Sequence, residues 1–119
     1  MQDLYDQIQV YLNMDEEISF KEFQDFYKKV LDRLATEGND LEEESLWKVL
    51  FVVENVISNA EGRANDTKGS ESKKYAKMAS RLQLWAKNFG ARLGTAGYTE
   101  DDINERFSEM FAEGEKQHS

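Results

Sequence analysis

Apolar residues recur three and four positions apart along most of the chain, and the strict alternation of a half-buried strand is nearly absent. The spacing predicts five helices. The first covers about 2–13, with Leu4, Ile8, Tyr11 and Leu12 turned inward. The second covers about 20–36 and buries Phe20, Phe23, Tyr27, Val30, Leu31 and Leu34, with Phe26 on its flank and Gly38 ending it in a left-handed cap. A third helix over 41–61 starts at Asp40, whose side chain can cap it while Glu43 reaches back. Its apolar residues leave only a narrow arc around Lys48, Asn55 and Asn59, so it is expected to be covered on several sides.

The stretch 62–71 is polar, holds two glycines and reads as an exposed, mobile loop. A fourth helix over 72–93 follows, with a stripe of Tyr75, Met78, Ala79, Leu82, Trp85, Ala86, Phe89 and Leu93. Ala79, Ala86 and Gly90 give it one small-residue edge, and Gly94 is expected to stop it. Thr99 and Asp102 form a capping box for a fifth helix over 100–113, with Tyr98 and Ile103 at the staple positions. Residues 114–119 read as a disordered polar tail. The fold class is therefore all-α, a compact bundle of about five helices in one domain over 1–113, with the third helix at its centre.

Composition narrows the chemistry. A chain of 119 residues suits one domain, and such a domain can bury roughly two-thirds of its unfolded surface. The absence of proline favours long helices, and the absence of cysteine excludes disulfides, thiolate zinc sites and a cysteine nucleophile. The first residues show no basic segment leading into an apolar one, so no signal peptide is expected. The longest uninterrupted apolar run, Val49 to Val53, is five residues. A membrane span needs about 20. A cytoplasmic location is expected.

The sequence offers three chemical constellations. The single histidine, His118, sits in the tail expected to fray, where catalytic geometry cannot be held. The stretch Ile18-Ser19-Phe20-Lys21-Glu22-Phe23 is a complete helix-start signature. It also resembles the end of an EF-hand calcium loop, with Glu22 as the closing ligand, Asp15 and Asn13 at earlier ligand positions, and Ile18 at the apolar one. In that register Tyr11 stands where the first carboxylate belongs and Glu16 where the turn glycine belongs. Glu54 and Glu61, one heptad apart, are the best acids for a magnesium site of the kind found in all-helical nucleotide pyrophosphohydrolases. That chemistry needs facing acids on a second helix, and the fourth helix has none after Glu71. No catalytic, cofactor or metal residue is assigned, and no family is recognised across the whole chain.

Charge is distributed unevenly. Residues 1–61 carry fifteen acids and five bases, and 94–119 carry seven acids and two bases, whereas 62–93 carry eight bases and two acids. The net −9 thus hides a bipolar chain. On the fourth helix Lys73, Lys77, Arg81 and Lys87, with Lys74 and Arg92, lie opposite the apolar stripe, and Leu84 sits among the bases. Lys73, Lys77, Arg81, Leu84 and Lys87 are the candidate partner-binding residues. The expected function is non-enzymatic: an acidic protein of regulatory or adaptor type, acting through a protein partner or a second copy of itself. Acidic flanks disfavour nucleic acid as a ligand, although dense carboxylates can themselves imitate its phosphates. A divalent-metal enzyme or a degenerate calcium binder is the competing class.

Overall fold

The computed structural model describes Met1 to His118, with side chains through Gln117. The described residues form five helices and no strand: α1 (Gln2–Leu12), α2 (Phe20–Glu37), α3 (Glu43–Asp66), α4 (Ser70–Thr95) and α5 (Glu100–His118). They pack as a helical bundle, and α3 and α4 share its most extensive interface. Val49, Leu50, Phe51, Val52 and Val53 are all buried. Five consecutive residues sweep the whole circumference of a helix, so α3 is enclosed on every side along this turn. Phe51 shows how: its ring meets Tyr5 of α1 at 5.5 Å, and Phe107 and Phe111 of α5 at 5.5 and 4.9 Å.

The helix starts follow local chemistry. Ser19 Oγ accepts the Glu22 amide at 3.1 Å, capping α2. At α5 the capping box closes both ways, Thr99 N–H donating to Asp102 Oδ2 at 2.8 Å and Asp102 N–H to Thr99 Oγ1 at 3.2 Å. The end of α4 is a Schellman turn at Gly97 (φ 105°), with Tyr98 N–H bonded to Leu93 O and Gly97 N–H to Gly94 O. Gly94, expected to stop the helix, lies inside it, and α4 runs on to Thr95.

Several positions differ from the pattern-based expectation. Leu12 ends α1 and is 40 % exposed, and Phe20 is exposed too; Tyr5, Gln9 and Phe26 are buried instead. Asp40 does not cap α3, which begins after Glu42 without a side-chain cap. The reason lies in α4. Arg92 donates to the carbonyls of Gly38, Asn39 and Leu41 at 2.7, 3.4 and 3.5 Å and holds that turn outside the helix. Gly38 is right-handed (φ −56°), so it is not needed for a left-handed cap. A Cβ there would stand 2.6 Å from the Trp85 ring, so it is close packing that requires glycine.

The expected loop 62–71 is mostly helix, with only 67–69 between α3 and α4. Arg63 holds it in place: its guanidinium lies 4.8 Å from the centre of the Phe23 ring and donates to Ile18 O at 2.8 Å. Thr67 and Ser72 hydroxyls then close the turn on the carbonyls of Arg63 and Ala64, each at 2.8 Å. The expected tail is also helical through His118; Ser119 lies outside the described residues. Gln9 explains this, donating to Met110 O at 2.8 Å and Tyr5 Oη at 3.0 Å and so joining α1 to α5, with Gly114 against its amide.

Two glycines therefore have opposite expected effects. Gly62 now lies inside α3 with open space around it, and so does Gly90 in α4. Gly62→Ala is expected to raise stability by about 0.5–1 kcal/mol, the ordinary helix-interior gain. Gly114→Ala is expected to lower it, because the methyl group overlaps the Gln9 amide. Urea midpoints of the two variants check both signs; a neutral Gly62→Ala together with a neutral Gly114→Ala contradicts these helix boundaries.

Candidate functional site

The amphipathic pattern of α2 and α4 sets their inner faces against the core and leaves a groove between their outer edges. It consists of two hollows of about 270 and 490 Å³ that share Leu31 and Arg81. The floor is apolar, formed by Leu31, Met78 and the half-buried Trp85, and Leu84 stands on the rim at 72 % exposure. Lys28, Lys74, Lys77 and Arg81 line the same groove. None of these four forms an ion pair among the described residues. Lys74 instead lies 5.3 Å from the centre of the Phe20 ring. The wall contains Tyr27, whose hydroxyl is buried and has no hydrogen-bond partner among the described residues. A buried donor in that state costs stability until an acceptor reaches it.

Of the residues singled out from sequence, Lys77, Arg81 and Leu84 come together here. Lys73 and Lys87 are exposed on α4 outside the groove. Arg92 is engaged with the α2–α3 turn and its Asn88 neighbour. Tyr27, Lys28, Leu31 and Trp85 were missed as site residues. The last two sit at the edges of their apolar stripes, where a periodic pattern does not separate core from groove.

A separate hollow, about 280 Å³, opens beside the α1–α2 turn and is lined by Tyr11, Leu12, Met14, Ile18, Phe23 and Phe26, with Asp15, Glu16 and Glu17 on its border. This is the segment that resembles a calcium loop. Its Tyr11 ring packs edge-on against Phe26 at 5.3 Å, and the Ile18 carbonyl is taken by Arg63. Burial, and after it the charge of Glu22, pushes the Tyr11 phenol up. The Ile18–Phe23 stretch is thus engaged as a helix start and a core contact.

On α3, partial burial and then the nearby charge of Glu61 push the Glu54 carboxyl up. Glu61 accepts from Gln83 of α4 at 3.1 Å, so the facing group is an amide. Among the described residues no three His, Cys, Asp or Glu side chains are gathered as metal ligands, and no helix is long and apolar enough to cross a membrane. Comparison with protein-family models, curated proteins and solved structures finds no significant match.

Proposed function

We propose that this protein is a non-enzymatic interaction module that receives an acidic, apolar-studded segment of a protein partner in the α2–α4 groove. One observation carries this reading. In a chain of net charge −9, four bases without ion-pair partners among the described residues line a groove with an apolar floor, and the exposed Leu84 stands on its rim beside Arg81. Apolar side chains of the incoming segment would cover Leu31, Trp85 and Leu84, and its carboxylates would meet Lys28, Lys74, Lys77 and Arg81. Complementary charge sets register and speeds encounter, and the desolvated apolar centre supplies most of the affinity. Nucleic acid fits less well, because phosphates must approach past an excess of carboxylates.

The test is calorimetric titration with two synthetic helical peptides that share one leucine stripe, one carrying glutamates and the other lysines. The acidic peptide is expected to bind and the basic one not. Lys77→Ser with Leu84→Asp is expected to weaken binding by about tenfold or more, a loss of about 1.4 kcal/mol. Lys73→Ser, outside the groove, is the matched control. Equal binding by wild type and the groove variant contradicts the reading.

A further inference from the structure

Leu84, on the rim of the α2–α4 groove, and the cleft beside the α1–α2 turn are complementary in shape, polarity and charge. Leu84 is the most exposed large apolar side chain among the described residues, and it projects beside Arg81. The cleft at the turn is concave, apolar and about 280 Å³, roomy for one leucine side chain, and carries Asp15, Glu16 and Glu17 on its border. Met14, at its mouth, is 45 % exposed. Neither these three carboxylates nor the Lys77 and Arg81 cations form an ion pair among the described residues. A knob with Arg81 beside it and Lys77 further along the same groove, and a hole bordered by acids, thus occur on one chain.

We infer that the acidic partner of the groove is a second copy of this chain, which seats Leu84 of its neighbour in the cleft beside its own α1–α2 turn. The inference rests on the groove being a docking surface for acidic segments. Knob and hole lie on different parts of the molecule, so each copy uses both and the contact is head-to-tail. Such a contact does not use itself up in a dimer; it extends into chains unless the rotation closes a ring. Net repulsion between copies at −9 opposes this at long range. At physiological ionic strength that repulsion is screened beyond about 8 Å, whereas the contact itself is local.

Sedimentation velocity over a concentration series tests the inference with two blocked variants. Lys77→Ser with Leu84→Asp removes the knob and leaves the hole, and Met14→Ser with Glu16→Gln and Glu17→Gln strips the hole of its apolar lip and two of its acids and leaves the knob. All five positions are exposed, so folding should survive, and circular dichroism checks it. Wild type is expected to sediment faster as concentration rises, each variant alone to associate about tenfold or more weakly, and an equimolar mixture to stop at a heterodimer. A monomeric wild type at millimolar concentration overturns the inference, as do variants that associate like wild type or a mixture that stays monomeric. If the chain is monomeric yet still binds the acidic peptide, only the identity of the partner is wrong. If peptide binding fails as well, the groove reading falls with it.

Discussion

Phe51→Ala is expected to cost about 3–5 kcal/mol, the range for removing a fully buried aromatic ring. Phe51 is 0 % exposed, and its ring touches Tyr5, Phe107 and Phe111, so one side chain joins α1, α3 and α5. The loss combines removal of apolar area with a cavity that three helices must collapse to fill. Domains of this class have about 5–15 kcal/mol of stability in all, so the variant should be marginal at room temperature. Urea denaturation followed by circular dichroism provides the measurement. Leu84→Ala serves as the contrast, because truncating a side chain 72 % exposed should change little. A Phe51→Ala loss below about 1 kcal/mol contradicts the packing of α5 against α3.

Gly38→Ala is the second large effect, and it connects fold with function. The added methyl group would lie 2.6 and 2.8 Å from two atoms of the Trp85 ring and 2.5 Å from the Leu34 carbonyl. Neither neighbour gives way easily. The carbonyl belongs to the last turn of α2, and the indole is stacked on Phe89 at 5.6 Å. Overpacking of this kind costs about 1–3 kcal/mol. Trp85 also forms the groove floor, so a displaced indole should weaken acidic-peptide binding in protein that remains folded. Urea unfolding and the peptide titration, run on the same preparation, read the two consequences separately. A variant with unchanged stability and unchanged binding contradicts the close approach of Trp85 to Gly38.

Five helices and the enclosed position of α3 follow from period 3.6 and from the unbroken run Val49 to Val53, because those signals are local. Both capping residues Ser19 and Thr99 were legible for the same reason. The boundaries that moved were set at long range. Arg63 bonds to Ile18, 45 residues away, and so extends α3 through a stretch whose polarity and glycines suggested a loop. Gln9 bonds to Met110, 101 residues away, and α5 continues past Glu113. Arg92 reaches a turn more than 50 residues away and bonds to its carbonyls, and α3 begins after Glu42 rather than at Asp40.

The groove divides along the same line. Leu84 was legible because it interrupts a polar helix face, and Lys77 and Arg81 because they flank it. Lys28 and Tyr27 were not, since nothing in one helix announces which edge of another will lie beside it. Lys73 and Lys87 were included from a charge pattern that does not distinguish the groove edge of α4 from its outer face. The EF-hand resemblance came from residues that also start a helix; in the fold Ser19 caps α2, Ile18 O accepts from Arg63, and Tyr11, near the end of α1, packs on Phe26.

If the α2–α4 groove is the docking surface, titration with the acidic leucine-stripe peptide should move amide and indole NMR signals there. The expected result is a contiguous set of perturbed signals from Lys28 and Leu31 on α2 and from Lys77, Arg81, Leu84 and the Trp85 indole on α4. Perturbations confined to other faces, or none at saturating peptide, would contradict it.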